Sequence, residues 1–318
     1  MKKKVKDLAN ISILLSTYNG ERYLEKQLES LRLQTIPFQL FIRDDGSSDS
    51  TIKIIEQWKS KLPIHLEKGK NIGSCQSFNE LLTKNNFQNS YMAFCDQDDE
   101  WLPDKLEVAL NSIQKTEAEI GSEVPVLYHS NLSLIDSNSK TIQGNFWSRM
   151  ALQPNLSHNL AGLLNQPIVT GCTLMINPSL YSKIGSIPPS AKMHDWWISL
   201  IACTYGVIIS DYKSTINYRL HSSNVVGAAG FTWQRLIFKI SNIRDYIKEW
   251  KKENLDRIEQ AKAFLSVFGN ELSLDSKEIL ENFIKITNLN YFQRKKTQFR
   301  YGFFQHGLRR KITSFLLF

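Results

Sequence analysis

The sequence predicts an α/β fold in which a mixed, mostly parallel sheet is flanked by helices, followed by a helical C-terminal appendage. Three observations carry this. From Ile11 to about Leu134, short apolar runs alternate with amphipathic segments, the pattern of strands joined by crossover helices. Tyr91 to Cys95 is a continuous apolar run that ends on acids, as a fully buried central strand would. Beyond Phe231 the character changes to helix after helix.

Taken in order, Ile11 to Ser16 reads as the first strand. Glu21 to Leu33 reads as a helix, because Tyr23, Leu24, Leu28 and Leu31 recur at helical spacing before Pro37. Leu40 to Arg43 is the second strand. The turn Asp44 to Asp49 follows it, with Ser48 or Asp49 placed to cap a helix carrying Ile52, Ile54, Ile55 and Trp58. Ile64 to Glu67 gives a short strand, and Gly73 opens a helix with Phe78, Leu81 and Leu82 inward. Pro103 sits in the first turn of the next helix, where its missing N–H costs nothing. Val126 to Ile135, Ile168 to Ile176 and Ser214 to Leu220 look like strands, and His194 to Ala202 like a helix. The last helices are read as Trp233 to Trp250, Leu255 to Phe268 and Ser276 to Asn290. A boundary near Gly227 to Gly230 separates a domain 1–228 from a basic helical region 229–318.

With 42% hydrophobic residues among 318, the chain can bury one domain-sized core and support a smaller unit. A formal net charge of +8 favours anionic partners such as nucleotides, phospholipid headgroups or nucleic acid. Cys75, Cys95, Cys172 and Cys203 lie far apart, without the close pairs of zinc or redox sites. Buried, reduced thiols are expected, which fits the cytoplasm. Lys2, Lys3 and Lys4 could begin an export signal, but the apolar run Ile11 to Leu15 is too short to continue one. No stretch approaches the ~20 apolar residues of a membrane-spanning helix.

The strand ends of the first half deliver polar residues to one edge of the sheet, where open α/β sheets bind ligands. Ser16-Thr17-Tyr18-Asn19-Gly20 follows strand one, Asp44-Asp45-Gly46 strand two, and Asp96-Gln97-Asp98-Asp99 the buried strand. Three carboxylates within four residues repel one another at low dielectric, so an ionised cluster there calls for a cation. Mg²⁺ or Mn²⁺, which bind carboxylates together with substrate phosphates, meet that need. Taken singly, neither acidic segment decides: both also suit solvated turns that cap a helix.

In order, Ser-Thr-Tyr-Asn-Gly, Asp-Asp-Gly-Ser-x-Asp-x-Thr, Asn71-x-Gly73 with Phe78-Asn79, and Asp-x-Asp-Asp resemble the inverting family-2 glycosyltransferases of the GT-A fold, over roughly residues 10 to 225. Asp96-Gln97-Asp98-Asp99-x-Trp101 and Tyr218-Arg219-x-His221-x-x-Asn224-Val225-Val226-Gly227 are similar to bacterial rhamnosyltransferases. The resemblance implies metal-dependent, inverting transfer from a nucleotide-diphosphate sugar to a hydroxyl of a saccharide or lipid-linked saccharide in surface polysaccharide synthesis. The donor it suggests is dTDP-L-rhamnose, with UDP-hexoses next.

Residue by residue, the resemblance puts Ser16, Thr17 and Tyr18 in the base pocket, with Asp44 or Asp45 accepting the pyrimidine N3–H. Asn71 and Gly73 fall near the ribose and diphosphate. Asp96 and Asp98 match the family's Asp-x-Asp, with Asp98 or Asp99 the direct metal ligand. Arg219 and His221 would close over the diphosphate, His221 either completing the metal sphere or donating to a phosphate. The general base falls on Asp195. Gly171, His194, Trp196 and Trp197 are assigned to the acceptor side. His194 stands where many members carry an acid, as either a neutral hydrogen-bonding group or a plain surface histidine. The two tryptophans are either core or a sugar platform.

From Tyr291 onward there is no acidic residue, while Arg294, Lys295, Lys296, Arg300, Arg309, Arg310 and Lys311 interleave with Phe292, Phe299, Phe303 and Phe304. That make-up suits either a helix resting on the anionic inner face of a cell membrane or one packed on the main domain. Nucleic acid is disfavoured as a partner, because the densest carboxylates sit where the ligand should bind. A nucleotidyltransferase is disfavoured by the lack of a Gly-rich, basic phosphate loop near the N-terminus. A non-catalytic nucleotide-sugar-binding protein would have no use for Asp195 beside the acid cluster.

Overall fold

The computed structural model describes residues 10–221 and 243–317. Strands β1 (Asn10–Thr17), β2 (Gln39–Asp44), β3 (Ile64–Lys68) and β4 (Ser90–Cys95) run parallel in the order β3-β2-β1-β4. Helices α1 (Leu24–Arg32), α2 (Thr51–Trp58) and α3 (Ser74–Lys84) make the crossovers. With helices covering the sheet, β1 and β4 are apolar on both faces: Ile13, Leu14, Leu15 and every residue from Met92 to Cys95 are 0% exposed.

Beyond β4 the sheet becomes mixed. The two-residue β8 (Met175–Ile176) pairs antiparallel with both β4 and β6 (Val126–Ile135). β6 pairs in parallel with β9 (Val207–Arg219), whose far edge takes the short β5 (Glu100–Trp101). β7 (Thr141–Asn145) forms a hairpin with β6. Around these strands lie α4 (Lys105–Ile120), α5 (Phe146–Arg149), α6 (Leu160–Asn165), α7 (Pro178–Ile184) and α8 (His194–Tyr205).

The C-terminal region consists of α9 (Ile243–Phe268), α10 (Leu274–Lys285), α11 (Tyr291–Tyr301) and α12 (Leu308–Leu317). It shares a core with the sheet domain: Trp250, Phe264, Leu280, Phe283 and Phe303 belong to one buried cluster with Leu163 of α6 and Trp197 of α8. The Trp197 ring meets Phe264 at 5.4 Å and Phe268 at 6.1 Å. Among the described residues no helix is long and apolar enough to cross a membrane.

Several elements depart from the sequence pattern. The strand predicted over Ile168 to Ile176 is interrupted, because Gly171–Thr173 tighten into a 3₁₀ turn in which Thr173 N–H donates to the Thr170 carbonyl. Only Met175–Ile176 remains to pair. β9 begins well before Ser214, its register shifting where the exposed Tyr212 and Lys213 blur the alternation. α9 runs unbroken where a gap is predicted between Trp250 and Leu255, since Lys251 to Asn254 contain neither Gly nor Pro. α10 stops at Lys285 and passes into a 3₁₀ turn, Ile286–Asn288. The predicted helix start at Trp233 and the boundary near Gly227 to Gly230, with the 228/229 division, lie outside the described residues.

Candidate active site

The carboxyl ends of β1, β2 and β4 and the start of α8 border a cavity of about 550 Å³. Ser16, Tyr18, Asp45, Asn71 and Gly73 line it with Asp96, Gln97, Asp98 and His221, and with Gly171, Met193, His194 and Asp195. The sheet therefore brings together loops that are distant in sequence, as the order of its strands requires.

On the β1–β2 side the two adjacent aspartates have different employment. Asp44 is 0% exposed, and both carboxylate oxygens are taken: it accepts the N–H groups of Gly46 and Ser47 and the hydroxyls of Thr17 and Ser47. Asp44 and Thr17 thus build the turn and do not line the cavity, contrary to their assignment as donor-binding residues. Asp45 does line it. Its carboxylate pairs with the buried Arg43 guanidinium and accepts the N–H groups of Ile72 and Gly73, so one residue fixes the Asn71–Gly73 loop. Tyr18 is tied to the acid loop through Gln97, whose Oε1 accepts the Tyr18 N–H at 2.9 Å and whose Nε2 donates to the Tyr18 carbonyl at 3.0 Å. A Cβ at Gly20 would fall 2.3 Å from Gln97 Oε1, which accounts for the glycine.

In the acid loop, Asp96 and Asp98 line the cavity, and Asp98 Oδ2 lies 2.8 Å from His221 Nε2. Burial, then Asp98 and then Asp195 push the Asp96 pKa up to about 7, because the carboxylates crowd one another at low dielectric. Oxygen and imidazole donors in this setting fit a hard divalent ion. Asp99 is turned inward. It is 0% exposed, does not line the cavity, and its Oδ1 accepts the Arg219 N–H at 3.0 Å, while Oδ2 has no hydrogen-bond partner among the described residues. Asp96, Asp99 and Cys172 do form a tight trio, with ligand atoms within 4.8 Å of one another. Burial keeps the Cys172 thiol protonated, however, and a soft sulfur suits Mg²⁺ or Mn²⁺ poorly.

Arg219 likewise departs from its assignment. Its side chain is 0% exposed, with Nε donating to the Asp98 carbonyl at 2.8 Å, Nη1 to the Asp136 carbonyl and Ser139 hydroxyl, and Nη2 to Glu100. Instead of closing over a diphosphate, it holds the acid loop from within the protein.

α8 delivers the remaining residues from its first turn. Asp195 Oδ1 accepts the Trp196 N–H at 2.7 Å, and the Gly171 N–H also favours the carboxylate. Burial outweighs both and raises the Asp195 pKa to about 6. His194 is 1% exposed, tilted against Phe78 at 4.0 Å and stacked on Phe94 at 5.4 Å, with no partner for either ring nitrogen among the described residues; burial lowers its pKa to about 3, so it is neutral. It is no surface histidine. A Cβ at Gly171 would sit 3.0 Å from His194 Nε2 and 3.4 Å from Asp195 Oδ2. Trp196 donates its indole N–H to the Leu163 carbonyl, and Trp197 packs on Phe264. Both indoles are core and neither lines the cavity, which removes them as a sugar platform.

The sequence model of Glycosyl transferase family 2 matches residues 12–185, more than half of the chain. The chain belongs to glycosyl transferase family 2. Among curated relatives, the dTDP-rhamnosyl transferase RfbG of Shigella flexneri is 26% identical over 299 residues, covering 89% of this chain and 95% of that protein. An uncharacterized glycosyltransferase of Nostoc sp. is 29% identical over 225 residues, 67% of this chain and 66% of the relative. Among solved structures, S. aureus TarS 1–349 in complex with UDP-GlcNAc aligns with a TM-score of 0.53 at 16% identity, over 96% of this chain and 89% of that one. That likeness concerns the fold, which is of the GT-A kind.

Sequence reasoning about this glycosyltransferase missed Arg43 and Gln97. Arg43 had a visible signal, a lone cation at the end of a buried strand directly before two acids. Gln97 had none, because its partner is the backbone of Tyr18.

Proposed function

We propose that this glycosyltransferase moves L-rhamnose from dTDP-L-rhamnose, with inversion, to a hydroxyl of a saccharide or lipid-linked saccharide in bacterial surface polysaccharide synthesis. One observation carries the reading: a single cavity holds the Asp96, Asp98 and His221 donors and also Asp195, a carboxylate fixed by backbone N–H groups yet raised to about 6. The likeness to RfbG supports the rhamnosyl donor. Asp45 would bind the N3–H shared by thymine and uracil, so a UDP-hexose is the second reading.

In this reading Ser16, Tyr18 and Asp45 bind the base, and Asn71 and Gly73 flank the ribose and diphosphate. Asp96, Asp98 and His221 would hold Mg²⁺ or Mn²⁺, which supplies charge neutralisation for a departing diphosphate. Asp195 takes the proton of the acceptor hydroxyl as that oxygen bonds to sugar C1. The C1–O electron pair leaves with the nucleoside diphosphate from the opposite face, which inverts the anomeric centre.

Asp195→Asn is expected to lower kcat by about 10²- to 10⁴-fold while calorimetry finds donor affinity almost unchanged. Turnover close to wild type in that variant removes Asp195 from the chemistry. A thermal-shift screen of dTDP- and UDP-sugars, with Mn²⁺ or with EDTA, tests the donor and the ion together. Asp98→Ala should abolish the part of the stabilisation that depends on Mn²⁺; if it is retained in full, Asp98 is not a ligand.

The same reading puts the enzyme at the inner face of the cell membrane. Phe292 and Phe299 on α11 are 83% and 67% exposed, Lys296 and Lys311 are exposed beside them, and residues 291–318 include no acid. Such a face complements an anionic lipid surface, where lipid-linked acceptors reside.

A further inference from the structure

A second cavity, of about 320 Å³, lies between the β6–β7 hairpin, α5 and β9. It shares no described lining residue with the catalytic cavity. Tyr212 lines the one and Tyr218 the other, which at ~3.3 Å per residue of strand puts them roughly 20 Å apart along β9.

The chemistry of its lining is specific. None of the described lining residues is charged. Three are amides: Asn131, Asn145 and Gln153. Asn131 is only 4% exposed, and its Oδ1 accepts the N–H groups of Leu132 at 2.9 Å and Trp147 at 3.2 Å. Those bonds fix the amide plane and leave Nδ2 without a partner among the described residues. Trp147 is 3% exposed, and its indole N–H is also unpartnered. Tyr212, 63% exposed, stands edge-on to Trp147 at 5.3 Å and 89°, and its hydroxyl donates to Asn155, so an aromatic face is held open to solvent.

We propose that this cavity is a second saccharide subsite, which takes a neutral sugar residue. Adjacent sugar hydroxyls require donors and acceptors side by side, and planar amides present both. The apolar C–H face of a pyranose matches an exposed tyrosine ring. A lining without charge offers nothing to a phosphate, a carboxylate or an ammonium group, and Asn131 Nδ2, which makes no hydrogen bond among the described residues, can donate to a guest hydroxyl. That the guest is a distal unit of the acceptor chain rests on the transferase reading above; that it is a neutral sugar does not.

The test uses the full chain labelled with ¹⁵N-tryptophan, whose seven indole signals are few enough to resolve, with the Trp147 signal assigned through Trp147→Phe. Methyl α-L-rhamnopyranoside, methyl β-D-glucopyranoside and methyl N-acetyl-β-D-glucosaminide are titrated without metal or nucleotide, with uridine as the flat-base control. At least one glycoside is expected to move the Trp147 signal saturably, with affinity about 3- to 10-fold weaker in Tyr212→Ala and also reduced in Gln153→Ala. Both substituted side chains are exposed, so the variants keep the fold, which an unchanged Tm verifies. The proposal is overturned if no glycoside moves that signal up to its solubility limit. It is equally overturned if the shift is the same in both variants, or if uridine binds there more tightly than every glycoside. Since donor, ion and turnover are all absent from this titration, its failure leaves the catalytic reading standing, and the reverse holds too.

Discussion

Asp44 and Asp195 carry the same side chain to the same region of the protein and end with different chemistry. Asp44 meets four donors and is used up by them. Asp195 meets few, and burial prevails, lifting its pKa to about 6. The sign of the pH dependence follows: below that value the carboxyl is protonated and cannot take a proton from the acceptor. With Mn²⁺ and donor saturating, kcat should therefore fall by about tenfold per pH unit on the acid side of roughly 6, and a profile flat from pH 5 to 8 would separate Asp195 from the rate-limiting step. At this scale the motifs were legible, but the employment of each side chain was not. Nothing local to Arg219 foretells that its guanidinium is consumed by Asp98, Glu100, Asp136 and Ser139, because those partners converge only once β9 has paired with β6 and β5.

Among the elements, α8 has two duties: its first turn presents Asp195 and its next residues bury Trp197 against α9. Loss of that indole should be felt in both places. Trp197→Ala is expected to cost about 3–5 kcal/mol, read as a fall in the denaturant midpoint, and to speed proteolysis of the C-terminal helices in the native state. A variant with unchanged midpoint would show that the C-terminal helices do not depend on this contact. Strands and helices with a strong period, such as β4 and α3, were legible from sequence, since burial dictates their residues. The stretch around Gly171 was not: its apolar residues satisfy a strand pattern, while the local N–H bonds of a 3₁₀ turn decide the backbone.

For the molecule as a whole, the C-terminal helices close one side of the core with their apolar stripe and leave a basic, aromatic surface outward. Sequence composition reveals the surface. It does not reveal the docking, because Trp250, Ile258, Ala261, Phe264 and Phe268 find their partners on α6, α8 and α10. Vesicles containing phosphatidylglycerol should carry the full chain upward in a density gradient at low salt, neutral vesicles should not, and high salt should release it. Combined Phe292→Ser, Phe299→Ser and Lys296→Glu should abolish flotation; undiminished flotation of that protein would dismiss α11 as the contact.

The paired bonds between Gln97 and Tyr18 have one more implication. They weld the rim that would grip the nucleobase to the segment that would seat the cation, and the missing side chain at Gly20 leaves no slack between them. A donor with a bulkier base therefore cannot be admitted by shifting Tyr18 alone, for the displacement would drag the aspartates with it. If the donor carries the pyrimidine base proposed above, re-engineering toward purine donors would have to begin at position 97.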